Sequence, residues 1–118
     1  MREIKKIIVH CSATQEGRDF DAAEINRWHL KKGWSGIGYH YVVLLDGTIE
    51  YGRSIYKQGA HVKGENEGSI GICYIGGVEF YCGSNGEWIA KDTRTPEQKE
   101  SLLLLLKTLK KMHKNATI

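Results

Sequence analysis

Apolar residues along the chain occur in short β-branched runs and in two longer stretches with helical spacing. The short runs predict strands at 4–10, 38–45, 48–51 and 69–75. The two longer stretches predict one helix at 21–32 and a second that begins after Thr95. The order strand, helix, two strands, strand, helix is typical of an α/β domain in which a mixed central sheet is flanked by helices.

Both predicted helices have clear start signals. Asp21, with Glu24 three residues later, resembles a capping box, and Gly33 follows the last basic residues as a stop. Residues 95–98, Thr-Pro-Glu-Gln, combine a threonine cap, a proline at the first helical position and a glutamine three residues after the cap. The boundaries of both helices are therefore set by local chemistry.

The second helix has one apolar face, and its lysines crowd the C-terminal half, where they suit the helix dipole. That face consists of Leu102, Leu105, Leu106, Leu109 and Met112. We expect Asn115 to stop the helix and residues 116–118 to be the first residues of another strand.

The connections carry their own signals. Asp46-Gly47 predicts a hairpin with a type I′ turn, in which both central residues have a positive φ. The long connection at 54–68 is of a length that is more often functional than idle. Gly71, inside a predicted strand, indicates a close backbone approach. Residues 78–92 predict a polar excursion that Trp88 holds in place.

Length and composition exclude several classes of protein. A chain of 118 residues with 41% hydrophobic and 26% charged residues predicts one globular domain. The net charge of +3 does not require nucleic acid, and no apolar run is long enough to cross a membrane. The N-terminus lacks a secretory signal, so we expect a cytoplasmic protein as synthesised. Three cysteines without C-x-x-C spacing argue against a disulfide framework.

His10 is the first candidate for chemistry, because it ends an apolar strand at the edge where α/β proteins place ligands. His29 shares a helix face with Ile25, which favours a core histidine. His113 lies near the end of a lysine-rich helix, so we expect a solvated surface position. His40 alternates with Tyr39 along a predicted strand, so one of the two faces away from the cleft.

The cysteines and tryptophans favour structural roles. Cys11 and Cys73 lie in strand contexts typical of small buried hydrophobes, and Cys82 lies in a loop as a free thiol. The tryptophans, Trp28, Trp34 and Trp88, favour packing over sugar binding.

Several segments in one order carry a family resemblance. They are Ile8 to Thr14 (IVHCSAT), Ile25 to His29, Gly33-Trp34, Gly38-Tyr39-His40, Asp46-Gly47-Thr48, Gly52-Arg53, Gly59-Ala60-His61, Asn66 and Ser69 to Ile72. This pattern resembles the zinc-dependent N-acetylmuramoyl-L-alanine amidases of type 2, which include bacteriophage lysozyme-amidases and are related to peptidoglycan recognition proteins. The resemblance covers residues from about 4 to 118.

The resemblance implies a bacteriolytic hydrolase that cleaves the amide between N-acetylmuramic acid and L-alanine in the cell wall. His10 matches the first zinc ligand, and Tyr39 matches a tyrosine that helps to stabilise the tetrahedral oxyanion. His61 falls in a loop that borders the peptide groove in relatives, so we expect a substrate contact. By resemblance, Tyr39 faces the cleft and His40 faces away.

In relatives, the second and third zinc ligands follow the last helix. Here they would lie beyond Ile118, so we expect a single amidase-like domain over 1–118 that is C-terminally incomplete, with its last strand and loop missing. We therefore expect weak zinc binding or none, and an inactive enzyme in this form. We also expect self-association through an uncovered sheet edge beside Ile7 and Val9.

Two other functions remain open from the sequence. One is a non-catalytic module that binds peptidoglycan or muropeptide, as relatives without a full zinc set do. The other is a regulatory domain that uses the groove to hold a protein partner. In the enzymatic case the protein acts on the cell wall once it is released from the cytoplasm.

Overall fold

A four-stranded mixed sheet forms the centre of the fold, and a helix packs on each of its faces. The computed structural model describes residues 2–79 and 83–118. The elements in chain order are β1 (Lys6–Cys11), β2 (Thr14–Gln15), α1 (Ala22–Lys31), β3 (Tyr41–Val43), β4 (Ile49–Tyr51), β5 (Ser69–Tyr74), β6 (Gly77–Val78) and α2 (Pro96–Met112). The predicted α/β class, with a mixed central sheet flanked by helices, is confirmed.

The central sheet has the strand order β1-β5-β3-β4. β5 pairs in parallel with β1 on one side and with β3 on the other, and β4 runs antiparallel to β3. In this register His10 lies beside Cys73. A second sheet of two short parallel strands, β2 and β6, was not predicted; it lies in segments interpreted from sequence as loop and excursion.

The helix boundaries agree with the capping signals. The Asp21 side chain accepts a hydrogen bond from the Glu24 amide at the start of α1. At the start of α2, Thr95 and Gln98 form a complete capping box. The end of α2 was predicted too late, because the helix stops at Met112 with His113 as its cap, two residues before Asn115.

The third strand is shorter than its aromatic and β-branched run predicted. Only Tyr41–Val43 is strand, and residues 38–40 approach the sheet as irregular backbone. In the β3–β4 connection, Gly47 has a φ of +87° but Asp46 has no positive φ, so the predicted type I′ turn is wrong. The Gly47 amide donates to the Leu44 carbonyl at 2.9 Å, as in a turn followed by a left-handed glycine.

Each face of the sheet has its own core. On the α2 face the buried residues include Ile7, Ile70, Ile72, Leu105 and Leu109. On the α1 face, Ile25 of the helix packs with Val42, Cys73 and Ile75. Successive residues of β1 and β5 alternate between these faces, which is why one strand can serve both an apolar core and a polar site.

Of the predicted packing residues, Met112 and Trp88 are exposed, and Trp28 packs as predicted. Met112 is 58% exposed and does not join the buried face of α2. Trp88 is 56% exposed, so it does not pin the polar excursion, whereas Trp28 packs edge to face on Phe20 in the α1 core. The prediction for Cys82 lies outside the described residues.

The chain after α2 returns to the central sheet. Thr117 forms a parallel bridge with Lys6; its amide donates to the Lys5 carbonyl, and its carbonyl accepts from the Ile7 amide. This agrees with the predicted start of a further strand, which lies on the open edge of β1. Among the described residues, no helix is both long and apolar enough to cross a membrane.

Candidate functional site

Five aromatic rings gather on the α1 face of the sheet. The ring centroids of His10 and His61 are 5.0 Å apart, and those of His10 and Tyr39 are 5.7 Å apart. His40 and His29 extend the cluster, at 5.9 Å from His61 and 5.7 Å from Tyr39 respectively. The cluster therefore joins residues from β1, α1 and two connections.

The three predicted site residues, His10, Tyr39 and His61, lie together. His10 reaches the cluster because its register partner, Cys73, belongs to the α1-face core, and paired residues of neighbouring strands point to the same side. The Nε2 atom of His10 lies 2.9 Å from Nδ1 of His61, which is 51 residues away in sequence. The structure thus gives His61 a direct contact with His10, which sequence reasoning did not anticipate.

Two features hold His61 in place. The Asn66 side chain accepts hydrogen bonds from the amides of both His61 and Val62, each at 2.9 Å, which fixes the loop. The imidazole occupies the space beside Gly71, where an added Cβ would lie 2.4 Å from the ring. The glycine predicted to mark a close approach is thus confirmed, and what approaches it is the His61 ring.

A serine completes the contacts of His61. Ser69 Oγ lies 3.1 Å from His61 Nε2 and 3.2 Å from the Asn66 carbonyl oxygen. Ser69 is fully buried at the start of β5, so its hydroxyl depends on these partners. A serine at the start of a strand carries no sequence signal for such a role.

Tyr39 lies beside His10, and its side chain interacts with the thiol of Cys73. Burial, more than the neighbouring thiols, raises the pKa of Tyr39 above its ordinary value, so the hydroxyl stays protonated at neutral pH. A cavity of about 130 Å³ opens at Tyr39 and is bounded by Ser12, Trp28, His29 and Lys32. Tyr39 therefore lines a small cleft and keeps a protonated hydroxyl.

His40 departs from the prediction that it faces away. It is completely buried, it contacts His61, and its Nδ1 accepts a hydrogen bond from the Gly71 amide at 3.0 Å. Its Nε2 lies 2.9 Å from the Lys57 carbonyl. Strand alternation does not apply here, because residues 38–40 precede β3. Through these two contacts His40 connects the 54–68 loop to β5.

The remaining histidines lie where packing places them. His29 is 7% exposed, as predicted for a core histidine, and its Nδ1 accepts a hydrogen bond from the Gly38 amide at 2.9 Å. His113 lies outside the cluster as predicted, but it is only half-exposed and its Nε2 is buried, so the solvated surface position is wrong. Its place at the cap of α2 explains this burial.

Burial keeps the clustered imidazoles neutral. It lowers the pKa of His10, and burial together with the charges of its neighbours, His10 first, lowers the pKa of His61 to about 4. Each of these rings therefore carries one N–H and one lone pair at neutral pH. Cys73, whose thiol pKa burial raises to about 12, stays a protonated thiol, and Cys11 is only half-buried.

A zinc site of the catalytic type needs three protein ligands with one open position. Within residues 2–79 and 83–118, no group of three histidine, cysteine or acidic side chains comes together to hold a metal. The two nearest imidazoles, His10 and His61, contact each other. The described residues therefore do not fit a complete zinc site.

A second depression is lined in part by the start of the connection that carries His61. It has a volume of about 350 Å³ and is lined by residues that include Asn26, Arg53 and Lys57. The Arg53 guanidinium donates to the carbonyls of Ile37 at 3.0 Å and Gln58 at 2.9 Å, which orders this wall. The depression is positively charged, so it can attract carboxylates.

Comparisons with known proteins identify the family and the fold. The N-acetylmuramoyl-L-alanine amidase family matches residues 1–118. The endolysin of Klebsiella phage KP32 is 38% identical over 117 residues, covering 99% of this chain and 74% of that protein.

Two solved structures share the fold. The amidase LysC from Clostridium intestinale URNW has a TM-score of 0.77 at 28% identity, covering 96% of this chain and 66% of LysC. The peptidoglycan recognition proteins LCa and LCx, in complex with tracheal cytotoxin, give a TM-score of 0.71 at 28% identity, covering 98% of this chain and 66% of the matched chain. The chain thus spans about two thirds of these structures.

Proposed function

Because the chain belongs to the N-acetylmuramoyl-L-alanine amidase family, we propose that its ring cluster forms part of the active site of a peptidoglycan amidase. The bond cleaved is the amide between N-acetylmuramic acid and L-alanine. The observation that carries this proposal is the meeting of His10, Tyr39 and His61, the three residues matched to the family pattern, on one face of the sheet.

The cleft beside Tyr39 suits an amide substrate. A protonated tyrosine hydroxyl in a partly buried site can donate a hydrogen bond to the oxyanion of a tetrahedral intermediate, where such donors act most strongly. The cationic wall at Arg53 and Lys57 suits the carboxylates of a stem peptide. Peptidoglycan, or a muropeptide derived from it, is therefore the proposed substrate.

Zinc is the cofactor expected from the family, and we propose that this chain binds it weakly. A pair of imidazoles without a third ligand cannot give the affinity of a catalytic zinc centre. We expect zinc to leave during dialysis against a mild chelator, as measured by atomic absorption. Stoichiometric zinc retained by the monomeric chain would contradict this.

Incubation with purified muropeptide tests the function. An amidase releases a peptide with a free L-alanine amino terminus and a sugar with a free lactyl carboxylate, and mass spectrometry identifies both. In a form of the protein that retains zinc, we expect His10→Ala to abolish release, and His113→Ala, outside the cluster, to leave it unchanged. Hydrolysis that persists in His10→Ala would contradict the proposed site.

The second candidate is a binding module without catalysis. The incomplete donor set among the described residues supports it, and so does the binding of tracheal cytotoxin by the similar recognition proteins LCa and LCx. Calorimetry on a form of the protein that retains zinc separates the two functions: saturable muropeptide binding without product supports the binding module. Product release supports the enzyme.

A further inference from the structure

We infer that His61 is a positioning residue, which holds His10 with its proton on Nε2 and its lone pair on Nδ1. This inference gives His61 a different role from the substrate contact that the resemblance implied. The use of this arrangement in catalysis rests on the proposed function. The hydrogen bonds themselves do not depend on any substrate.

A chain of hydrogen bonds runs from a buried serine to His10. The Asn66 carbonyl oxygen can only accept, and Ser69 Oγ lies 3.2 Å from it, so the Ser69 hydroxyl donates there. The oxygen of Ser69 then has lone pairs left to accept a proton from His61 Nε2 at 3.1 Å. His61 therefore carries its proton on Nε2.

The next link follows from the chemistry of a neutral imidazole. With one proton on Nε2, the Nδ1 of His61 is an acceptor, and the atom facing it at 2.9 Å is Nε2 of His10. His10 must therefore donate from Nε2. Its own Nδ1 keeps the lone pair that a metal ligand or a proton acceptor needs.

The opposite direction makes fewer hydrogen bonds. If Ser69 donated to His61, then His61 would donate to His10, the bond to the Asn66 carbonyl would be lost, and two side-chain bonds would replace three. His10 would then present an N–H in place of a lone pair. Because Ser69 is fully buried, the arrangement with three bonds is favoured.

The backbone supports this chain of contacts. The His61 ring lies in the space left by Gly71, and Asn66 holds the amides of the loop while its carbonyl accepts from Ser69. A residue that only packed in this place would not need both ring nitrogens paired. His61 has both paired within the protein, which leaves neither nitrogen free for a substrate.

Long-range ¹H–¹⁵N spectra of the imidazoles in the 118-residue chain test the inference at pH 7.5, without metal or substrate. We expect His10 and His61 each to show a single tautomer with Nε2 protonated. In Ser69→Ala we expect His61, and with it His10, to become a mixture of tautomers. The matched control is Ser101→Ala. The Ser101 hydroxyl, on α2, donates to the Gly47 carbonyl away from the cluster, so its loss should leave both histidines unchanged.

Two substitutions at His61 separate positioning from packing. In His61→Asn the side-chain oxygen takes the place of Nδ1, so His10 should keep its Nε2 proton; in His61→Leu the acceptor is gone, and His10 should lose its single tautomer. Backbone spectra establish that each variant is folded. A proton on Nδ1 of His10 in the unaltered chain, or an unchanged His10 in His61→Leu, would overturn the inference.

These spectra do not depend on catalysis. If the expected tautomers are found but a form of the protein that retains zinc does not cleave muropeptide, the proposed function fails and the positioning role stands. If cleavage occurs but His10 carries its proton on Nδ1, the positioning role fails and the function stands.

Discussion

The two faces of the central sheet are made by the same strands but contain different kinds of residue. Towards α2, β1 and β5 present Ile7, Ile70 and Ile72, all 1% exposed or less. Towards α1, the same strands present His10, Gly71 and Cys73, with His61 seated on the glycine. Burial of apolar area therefore stabilises the α2 face. The α1 face buries less apolar area and holds hydrogen-bonded imidazoles in its place.

The largest effect on folding should come from the α2 face. Ile72→Ala removes a fully buried side chain, and we expect it to lower the free energy of unfolding by about 2–5 kcal/mol in urea titrations. Leu104→Ala, at a position that is 63% exposed, is the control and should change it by less than about 0.5 kcal/mol. Equal losses in the two variants would show that the α2 face is not the main core.

The largest effect on activity should come from the α1 face. In a form of the protein that cleaves muropeptide, Tyr39→Phe should lower turnover roughly a hundredfold to a thousandfold, because one oxyanion donor is lost. The midpoint of thermal unfolding should hardly change. Tyr56→Phe, at a position that is 68% exposed, should leave the rate as it was. An unchanged rate in Tyr39→Phe would move the role elsewhere, and His40 would be examined first.

Gly71 leaves the space on the α1 face that the His61 ring occupies. Gly71→Ala places a Cβ 2.4 Å from the His61 ring, so we expect the ring to move and stability to fall by about 1–3 kcal/mol. Gly83→Ala is the matched control, because its Cβ would meet its nearest neighbour at 3.4 Å. Denaturant titration measures both variants, and a neutral Gly71→Ala would show that the His61 ring is not fixed in this place.

Acid should weaken the α1 face. Burial, followed by the charges of Lys32 and Arg53, lowers the pKa of His29 in the folded protein. Between the unfolded pKa of about 6.5 and the lower folded value, the unfolded chain binds more protons, so the free energy of unfolding decreases as pH falls through this window. In His29→Asn an amide oxygen accepts the hydrogen bond from the Gly38 amide but does not titrate. The free energy of unfolding should therefore change less between pH 7.5 and 5 than it does in the unaltered protein. An identical slope would contradict this.

The smallest expected effect concerns the open edge of β1. Thr117 covers this edge at Ile7, but Val9 beyond it is 38% exposed. We expect weak self-association in sedimentation across a concentration series, and less of it in Val9→Lys, because a charge on an edge strand opposes pairing. A monomer at all concentrations would contradict this prediction.

Elements whose causes are local could be predicted from the sequence. The capping residues Asp21 and Thr95 set the starts of both helices, because a side chain three residues from an amide satisfies it wherever the helix lies. The order of short motifs indicated the family, which is confirmed, and the resemblance predicted His10, Tyr39 and His61 as site residues. Gly71 was recognised as a close approach, although what approaches it was not.

How those residues meet could not be predicted, because it depends on contacts between segments that are distant in the chain. The bond between His10 and His61 spans 51 positions, and the one from Arg2 to the carbonyl of Ile55 spans 53; no periodicity encodes such distances. The burial of His40, the pairing of β2 with β6 and the exposure of Trp88 likewise follow from long-range packing. Local patterns fix which side chains an element can present, but contacts between distant segments decide which hydrogen bonds those side chains complete.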